Sequence, residues 1–332
     1  MKKYNIAIVG ATGLVGSTFI EVMQEYKIEV ENLYLYASAR SEGKVIKYLG
    51  KEYVVQDLAK ARFDNVDFAL FSAGGSISAE YAPKFAAGGA VVIDNSSYFR
   101  MHDECPLIVP EINLNDYKEG KKIIANPNCS TIQSVLPLYY LDNEFKIKRI
   151  VYTTYQAVAG SGMKGINDLK SSREGKGYSF YPYDISQTCI PEIDAFLDNH
   201  YTKEEMKMVN ETNKILHKNI PISATCIRVP VERSHGVVVQ AEFENDIDIE
   251  KAIKALDGKP GVKVVDNIAN HGYPVSTIAT GNDLVYVGRI RKDLSCKNGL
   301  IFYTVSDNVR KGAAANAVQI MVEIIKMENK LC

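Results

Sequence analysis

The chain has 332 residues, 46% of them hydrophobic and 24% charged, with a formal net charge of -1 and six cysteines. This length exceeds one ordinary core and fits two domains, and the balance of apolar and charged residues excludes a disordered or fibrous chain. Near-zero charge without a basic run argues against nucleic-acid and membrane partners, and no apolar stretch is long enough to cross a bilayer.

Residues 5–9 form a brief apolar run ending in a glycine turn, which reads as a buried strand and is too short for a signal sequence. A helix is predicted over 15–26, then strands at 32–37 and 66–72, a helix over 79–87, and strands at 90–94 and 122–125. Near-continuous apolar strands alternating with helices imply a parallel sheet covered on both faces. After Cys129 the character changes. A helix at 132–141 gives way to β-rich segments at 149–155, 223–229, 237–244, 285–291 and 300–305. Several alternate apolar with polar residues, as antiparallel strands with one open face do. Residues 309–327 read as one long helix that returns to the first domain. The cysteines (Cys105, Cys129, Cys189, Cys226, Cys296, Cys332) are scattered without a CxxC pair, so neither a disulfide framework nor a metal site is expected.

The glycine turn carries the first functional signal. Gly10, Thr12, Gly13, Leu14 and Val15 stand between a strand and a helix, where glycines let backbone approach a pyrophosphate and the helix start attracts the anion. The spacing is GxxGxxG, which by itself names no family. At the end of the second strand no acid is present to accept from a ribose hydroxyl; Ser38, Arg40 and Ser41 stand there instead and suit a 2′-phosphate, so NADP is the expected cofactor. Ser72 and Gly74 follow another strand and read either as a second backbone edge of the cofactor cleft or as a plain turn.

Cys129 follows a strand in Asn126-Pro127-Asn128-Cys129-Ser130-Thr131 and opens a helix. A helix N-terminus favours an anion, so this thiol is placed to become a thiolate, with Asn128 among the donors beside it. Position alone leaves a buried structural cysteine equally open. The same six residues resemble the active-site sequence of the aspartate-semialdehyde dehydrogenase family. The likeness runs through Asp94–Arg100, Val109–Asn113, Tyr155–Gly162, Glu211–Ile215, Arg228–Val231, Ser234–Gly236 and Asp307–Gln319.

The resemblance implies an α/β fold: a Rossmann-like dinucleotide-binding domain of residues 1–127 with 309–332, and an α+β catalytic and dimerisation domain of residues 128–308. It implies a cytoplasmic homodimer or homotetramer that interconverts L-aspartate 4-semialdehyde and phosphate with L-4-aspartyl phosphate. Such an enzyme serves lysine, threonine, methionine and diaminopimelate biosynthesis. By the same likeness Cys129 is the nucleophile, His235 the base, Gln156 a substrate-orienting residue, and Arg228 the partner of the substrate carboxylate. Glu211 is assigned to the ammonium, and Arg100 and Lys214 to phosphate. Ala159, Gly160, Ser161, Gly162, Asn316 and Gln319 are assigned to the cofactor. Spacing alone reads Glu211 and Lys214 as a surface pair, and Asn316 and Gln319 as core or capping residues. Two rivals stay open: an N-acetyl-glutamyl phosphate reductase, whose substrate has no ammonium, and a non-catalytic NADP-sensing protein.

Overall fold

The computed structural model describes residues 3–118, 120 and 122–331, with side chains to 329; Cys332 and the outermost ends of the first expected domain lie outside the described residues. The chain divides into two compact units, Met1–Pro127 with Ala313–Cys332, and Asn128–Gly312.

In the first unit, the strands are β1 (Tyr4–Val9), β2 (Val30–Ala37), β3 (Val45–Tyr48), β4 (Lys51–Asp57), β5 (Phe68–Phe71), β6 (Val91–Asp94) and β7 (Ile123–Ala125). They form one sheet in the order β3-β4-β2-β1-β5-β6-β7. Every pair is parallel except β3 with β4. The helices are α1 (Leu14–Glu25), α2 (Gly75–Ala87), the short α3 (Pro110–Asn113) and the C-terminal helix Ala315–Leu331. Phe19, Ile20 and Met23 recur on one stripe of α1. They share a core with Ile6, Ile8, Leu35, Leu70 and Ile93 from the sheet and with Val318, Met321 and Ile324 from the C-terminal helix. Each such side chain fully buried contributes about 1.5–3 kcal/mol. Register sets Val9 beside both Tyr36 and Phe71, so β1, β2 and β5 end at one level and their following loops share that edge.

The second unit holds β8 (Ile147–Gln156), β9 (Ile222–Arg228), β10 (His235–Phe243), β11 (Val262–Val264), β12 (Val285–Lys292) and β13 (Gly299–Ser306). Their order is β11-β12-β13-β10-β8-β9, with parallel pairs only at β11–β12 and β8–β9. Helices α4 (Cys129–Phe145), α5 (Gly162–Arg173), α6 (Lys203–Leu216) and α7 (Ile249–Leu256) belong to this unit. α4 packs against β8, β10, β12 and β13, and α6 packs against α4 and β9. Residues 235, 237 and 239 of β10 are buried, whereas Gly236 and Val238 line an open pocket of about 450 Å³ with Tyr155, Tyr303, Arg289 and Arg291.

Two expectations need correction. The last helical segment is not a single α-helix from residue 309. Residues Arg310–Ala314 are π-helical, and the α-helix begins at Ala315. The return to the first unit accordingly comes after Gly312. Residues 309–312 are tied to the second unit: Val309 N donates to Asp307 Oδ1, Arg310 Nε to Asp283 Oδ1, and Gly312 N to the Asp307 carbonyl. The hairpin of β3 and β4 was not anticipated either.

Candidate active site

In the first unit the glycine turn, the loop after β2 and the loop after β5 meet at one sheet edge. Gly10 has φ +89°, and a Cβ there would stand 2.3 Å from the Ser72 carbonyl oxygen, so only glycine fits. A Cβ on Gly16 would lie 2.0 Å from the Gly10 oxygen. α1 begins after Gly13 with no side-chain cap and no acid in its first turn, which leaves Leu14 and Val15 at an uncapped helix start suited to a diphosphate. Thr12 Oγ1 lies 3.3 Å from Ser41 Oγ, which ties the turn to the loop carrying Ser38 and the exposed Arg40. Gly74, with φ +90°, caps α2. These residues fit a phosphorylated dinucleotide in shape and charge.

Asn316 and Gln319 do not join that edge. Asn316 Nδ2 donates to the Ile108 carbonyl (3.0 Å) and to Asn126 Oδ1 (2.8 Å), so the residue braces the strand-to-helix turn from below. Gln319 reaches Tyr26 at the far end of α1, about 18 Å of helix from the glycine turn. Arg100 is buried, its Nε on the Asn126 carbonyl and its Nη2 on the Asn95 carbonyl, each at 2.9 Å. Those bonds fix the plane of the guanidinium.

The second unit gathers the titratable residues. Cys129 is the first residue of α4. The preceding Asn128 is its N-cap: Oδ1 accepts from Ser130 N at 2.9 Å and Thr131 N at 3.2 Å. The Asn128 side chain also donates from Nδ2 to Glu204 Oε1 at 2.8 Å. These contacts fix the Asn128 side chain at the start of α4. Gln156, at the end of β8, donates from Nε2 to the same Glu204 oxygen at 3.0 Å and accepts from Thr154 through Oε1. Lys207, one turn along α6, meets Glu204 Oε2 at 3.1 Å and Asp194 at 2.9 Å. Burial pushes the Glu204 carboxyl up, but the Lys207 ammonium and the Gln156 and Asn128 donors outweigh it and hold the pKa at about 2. Glu204 is an ionised, fully hydrogen-bonded carboxylate at the start of α4.

Glu211 is buried and accepts from Asn128 N at 2.6 Å, so it supports the same turn from the main-chain side. The acid that meets both Asn128 and Gln156 side chains, and the lysine paired with it, are Glu204 and Lys207. Lys214 sits about 10 Å further along the α6 axis than Lys207. Glu204 and Lys207 have the same three-residue spacing as Glu211 and Lys214, two turns earlier, and that repeat was the available signal.

Arg228 ends β9 and His235 begins β10, and both are buried. Arg228 Nη1 donates to the Ala157 carbonyl at 2.7 Å, while Ala157 N donates to His235 Nδ1 at 2.9 Å. One peptide segment thus holds both side chains. The remaining Nε of Arg228 and Nε2 of His235 are buried without a hydrogen-bond partner. A Cβ on Gly160 would stand 2.8 Å from Arg228 Nη1 and 3.3 Å from His235 Nε2, so the missing side chain leaves room beside both groups. Burial, then the Arg228 charge, push the His235 imidazole down to about 3 against the opposing pull of Glu204. Ala159 N is bonded to the Glu232 carbonyl, Ser161 Oγ accepts from the Tyr181 hydroxyl, and Gly162 turns into α5 with φ +70°. Gln133, one turn into α4 from Cys129, donates to the His235 carbonyl at 3.2 Å. A Cβ on Gly312 would lie 2.8 Å from the Cys129 Cβ, so the π-helical turn packs closely on Cys129. Sequence reasoning missed Gln133 because it reads as one more residue of a buried helix.

Comparison with known proteins places the chain first in a class. The family described as semialdehyde dehydrogenase, NAD binding domain, matches residues 5–120, and the semialdehyde dehydrogenase dimerisation domain matches residues 136–311. An aspartate-semialdehyde dehydrogenase of Aquifex aeolicus is 52% identical over 334 residues, covering 97% of this chain and 98% of the relative. The crystal structure of aspartate semialdehyde dehydrogenase II complexed with ASA from Vibrio cholerae superposes with a TM-score of 0.95 at 43% identity, over 98% of this chain and 99% of that one. The Candida albicans enzyme with NADP gives a TM-score of 0.77 at 25% identity, over 99% of both chains. The chain belongs to the aspartate-semialdehyde dehydrogenase family.

Proposed function

We propose that the chain converts L-aspartate 4-semialdehyde, phosphate and NADP to L-4-aspartyl phosphate and NADPH, and runs in the reductive direction in amino-acid biosynthesis. The observation that carries this reading is the Asn128–Glu204–Gln156 network beside Cys129, together with two buried nitrogens, Arg228 Nε and His235 Nε2, that have no hydrogen-bond partner among the described residues.

Cys129 is the nucleophile. Its place at the first residue of α4 favours the thiolate, and covalent attachment splits one hard acyl transfer into two easier ones. In the reductive direction the thiolate displaces phosphate from the acyl phosphate and forms a thioester. The glycine turn, with Arg40 at the 2′-phosphate, would hold the dinucleotide, which when bound would supply the hydride for reduction of the thioester to the aldehyde. Arg228 takes the substrate carboxylate, since a planar fork suits two oxygens. Glu211 is assigned to the ammonium, which an N-acetylated substrate lacks. Lys214 and Arg100 are the cations assigned to phosphate, and Gln156, held by Glu204, orients the substrate.

The working unit is a homodimer formed through the open face of the second unit's sheet, or a homotetramer built from two such dimers. The match to a dimerisation domain and the pocket between Tyr155, Val238 and Tyr303 support this. We place the enzyme in the cytoplasm, where a nucleophilic thiol stays reduced. Among the described residues no helix is long and apolar enough to cross a membrane.

The test is phosphate-dependent NADPH formation with aspartate 4-semialdehyde and with N-acetyl-glutamate 5-semialdehyde side by side. Turnover of the first alone is expected. Preference for the second would overturn the reading.

A further inference from the structure

We propose that Glu204 is a positioning residue of the reaction: its buried carboxylate fixes which end of the Gln156 amide carries nitrogen, and so makes that side chain a hydrogen-bond donor in the site. The proposal rests on the reading of Gln156 as the substrate-orienting residue and says what decides its orientation.

The two ends of an amide side chain are nearly alike in shape, so its neighbours must choose between them. For Asn128 the choice is made twice. Oδ1 accepts from the main-chain N–H groups of Ser130 and Thr131, which can only donate, and Nδ2 faces Glu204 Oε1 at 2.8 Å. For Gln156 it is made once. Its Oε1 meets the Thr154 hydroxyl at 2.9 Å, and a hydroxyl can donate to an oxygen or accept from a nitrogen. Its other end meets Glu204 Oε1 at 3.0 Å. An ionised carboxylate only accepts, so the end it faces must be the nitrogen.

The carboxyl is held in that form. Burial opposes the charge, but Lys207 Nζ stands 3.1 Å from Oε2 and the two amide donors share Oε1. Lys207 is itself braced by Asp194 Oδ2 at 2.9 Å. Glu204 also lies in the first turn of α6, where a helix N-terminus favours an anion.

The place of Gln156 gives this choice its consequence. Its nitrogen shares an acceptor atom with that of Asn128, the residue before Cys129, so the two amides are neighbours. The next residue, Ala157, binds Arg228 Nη1 through its carbonyl and His235 Nδ1 through its N–H. Gln156 therefore joins the turn that carries the thiol to the segment that holds Arg228 and His235. One N–H of its amide is bonded to Glu204, and the second remains for a substrate oxygen. With the amide reversed, the same position would present a lone pair and repel that oxygen.

Two double variants test this. Glu204→Met with Lys207→Met removes the acceptor and its cation together, so the pair leaves no unpaired partner behind. Glu204→Gln with Lys207→Met restores one acceptor oxygen for the two amides. Lys207 is changed in both because its ammonium would oppose the nitrogen of the new amide. The first double is expected to lose roughly 10²-fold in kcat, the scale of a small misplacement in a site, with the KM for NADP within about twofold of wild type. The second is expected to recover kcat to within about tenfold of wild type. A purely structural part for Glu204 would give both doubles the same kcat per NADP-binding site, and that result would overturn the proposal. So would a Thr154→Val variant that loses as much kcat as the first double, because the hydroxyl would then be the group that chooses.

Neutron diffraction from crystals of the unmutated enzyme does not depend on any variant folding. Two deuterons are expected on the Gln156 atom that faces Glu204, and none on the carboxylate. A deuteron on Glu204, or a bare Gln156 oxygen facing it, would contradict the proposal. A wild-type enzyme inactive on aspartate 4-semialdehyde would sink the assigned reaction, yet would leave the deuteron positions standing.

Discussion

The two units prepare for their ligands by opposite means. The first unit uses absence: Gly10 and Gly16 exist because a Cβ would strike backbone, and the helix start is left uncapped. The second unit uses presence. Asn128, Gln156 and Lys207 converge on one carboxylate, and one peptide fixes both Arg228 and His235. A dinucleotide phosphate is met by shape and dipole, whereas a small charged substrate is met by side-chain groups that must each be held. Damage should therefore be graded in the first unit and abrupt in the second.

The largest effect belongs to Cys129→Ala. It should abolish turnover and thiol labelling while leaving NADP affinity, read by nucleotide fluorescence, within about twofold, because that affinity is built from the first unit's backbone. Retained turnover would break the contrast between the two regions. Next comes the choice between the two acid–lysine pairs. Lys214→Ala should raise the KM for phosphate or acyl phosphate by one to two orders of magnitude, roughly the loss of a charge-assisted bond. Lys207→Ala should act on stability instead, because it leaves the buried Glu204 carboxylate without its cation. A KM effect at Lys207 and none at Lys214 would move the phosphate contact to the earlier pair.

A smaller effect is expected at Arg40, which is exposed. Arg40→Ala should lower kcat/KM with NADP by about tenfold and leave the NAD value nearly unchanged, since only the 2′-phosphate contact is lost. Equal loss with both nucleotides would mean that Arg40 supports the loop and not the phosphate. The smallest effect is on stability against pH. The unfolded chain takes up a proton at His235 near its ordinary value of 6.5, while the folded chain does so only at about 3. Within that window the unfolded state binds more protons, so stability falls as pH falls, by at most ~1.4 kcal/mol per pH unit. Glu204 adds a loss of the same sign from its ordinary 4.5 down to about 2. Urea titrations of wild type and His235→Gln between pH 6.5 and 4.5 should give a shallower decline in the variant. Parallel declines would mean that the buried imidazole is not kept neutral.

The same contrast explains what could be read from sequence. The glycine turn, the parallel sheet and Cys129 at a helix start are local features, each written within a few consecutive residues. The Glu204–Lys207 pair was not legible in that way. Residues 204, 207, 211 and 214 repeat one spacing along a single helix, and only the packing of α4 against α6 selects the pair that meets Asn128 and Gln156. The contacts of Asn316 were hidden for a similar reason: its partners, Ile108 and Asn126, are far away in the chain. The β3–β4 hairpin escaped because its turn is Leu49-Gly50, both at positive φ, where Asn-Gly is the usual signal.

The central claim is a thioester on Cys129. Enzyme mixed with aspartate 4-semialdehyde and NADP, without phosphate, should accumulate an acyl adduct that peptide mass mapping locates on Cys129 and that phosphate discharges. An adduct on another residue, or NADP reduction with phosphate present but no adduct at any time, would contradict the account.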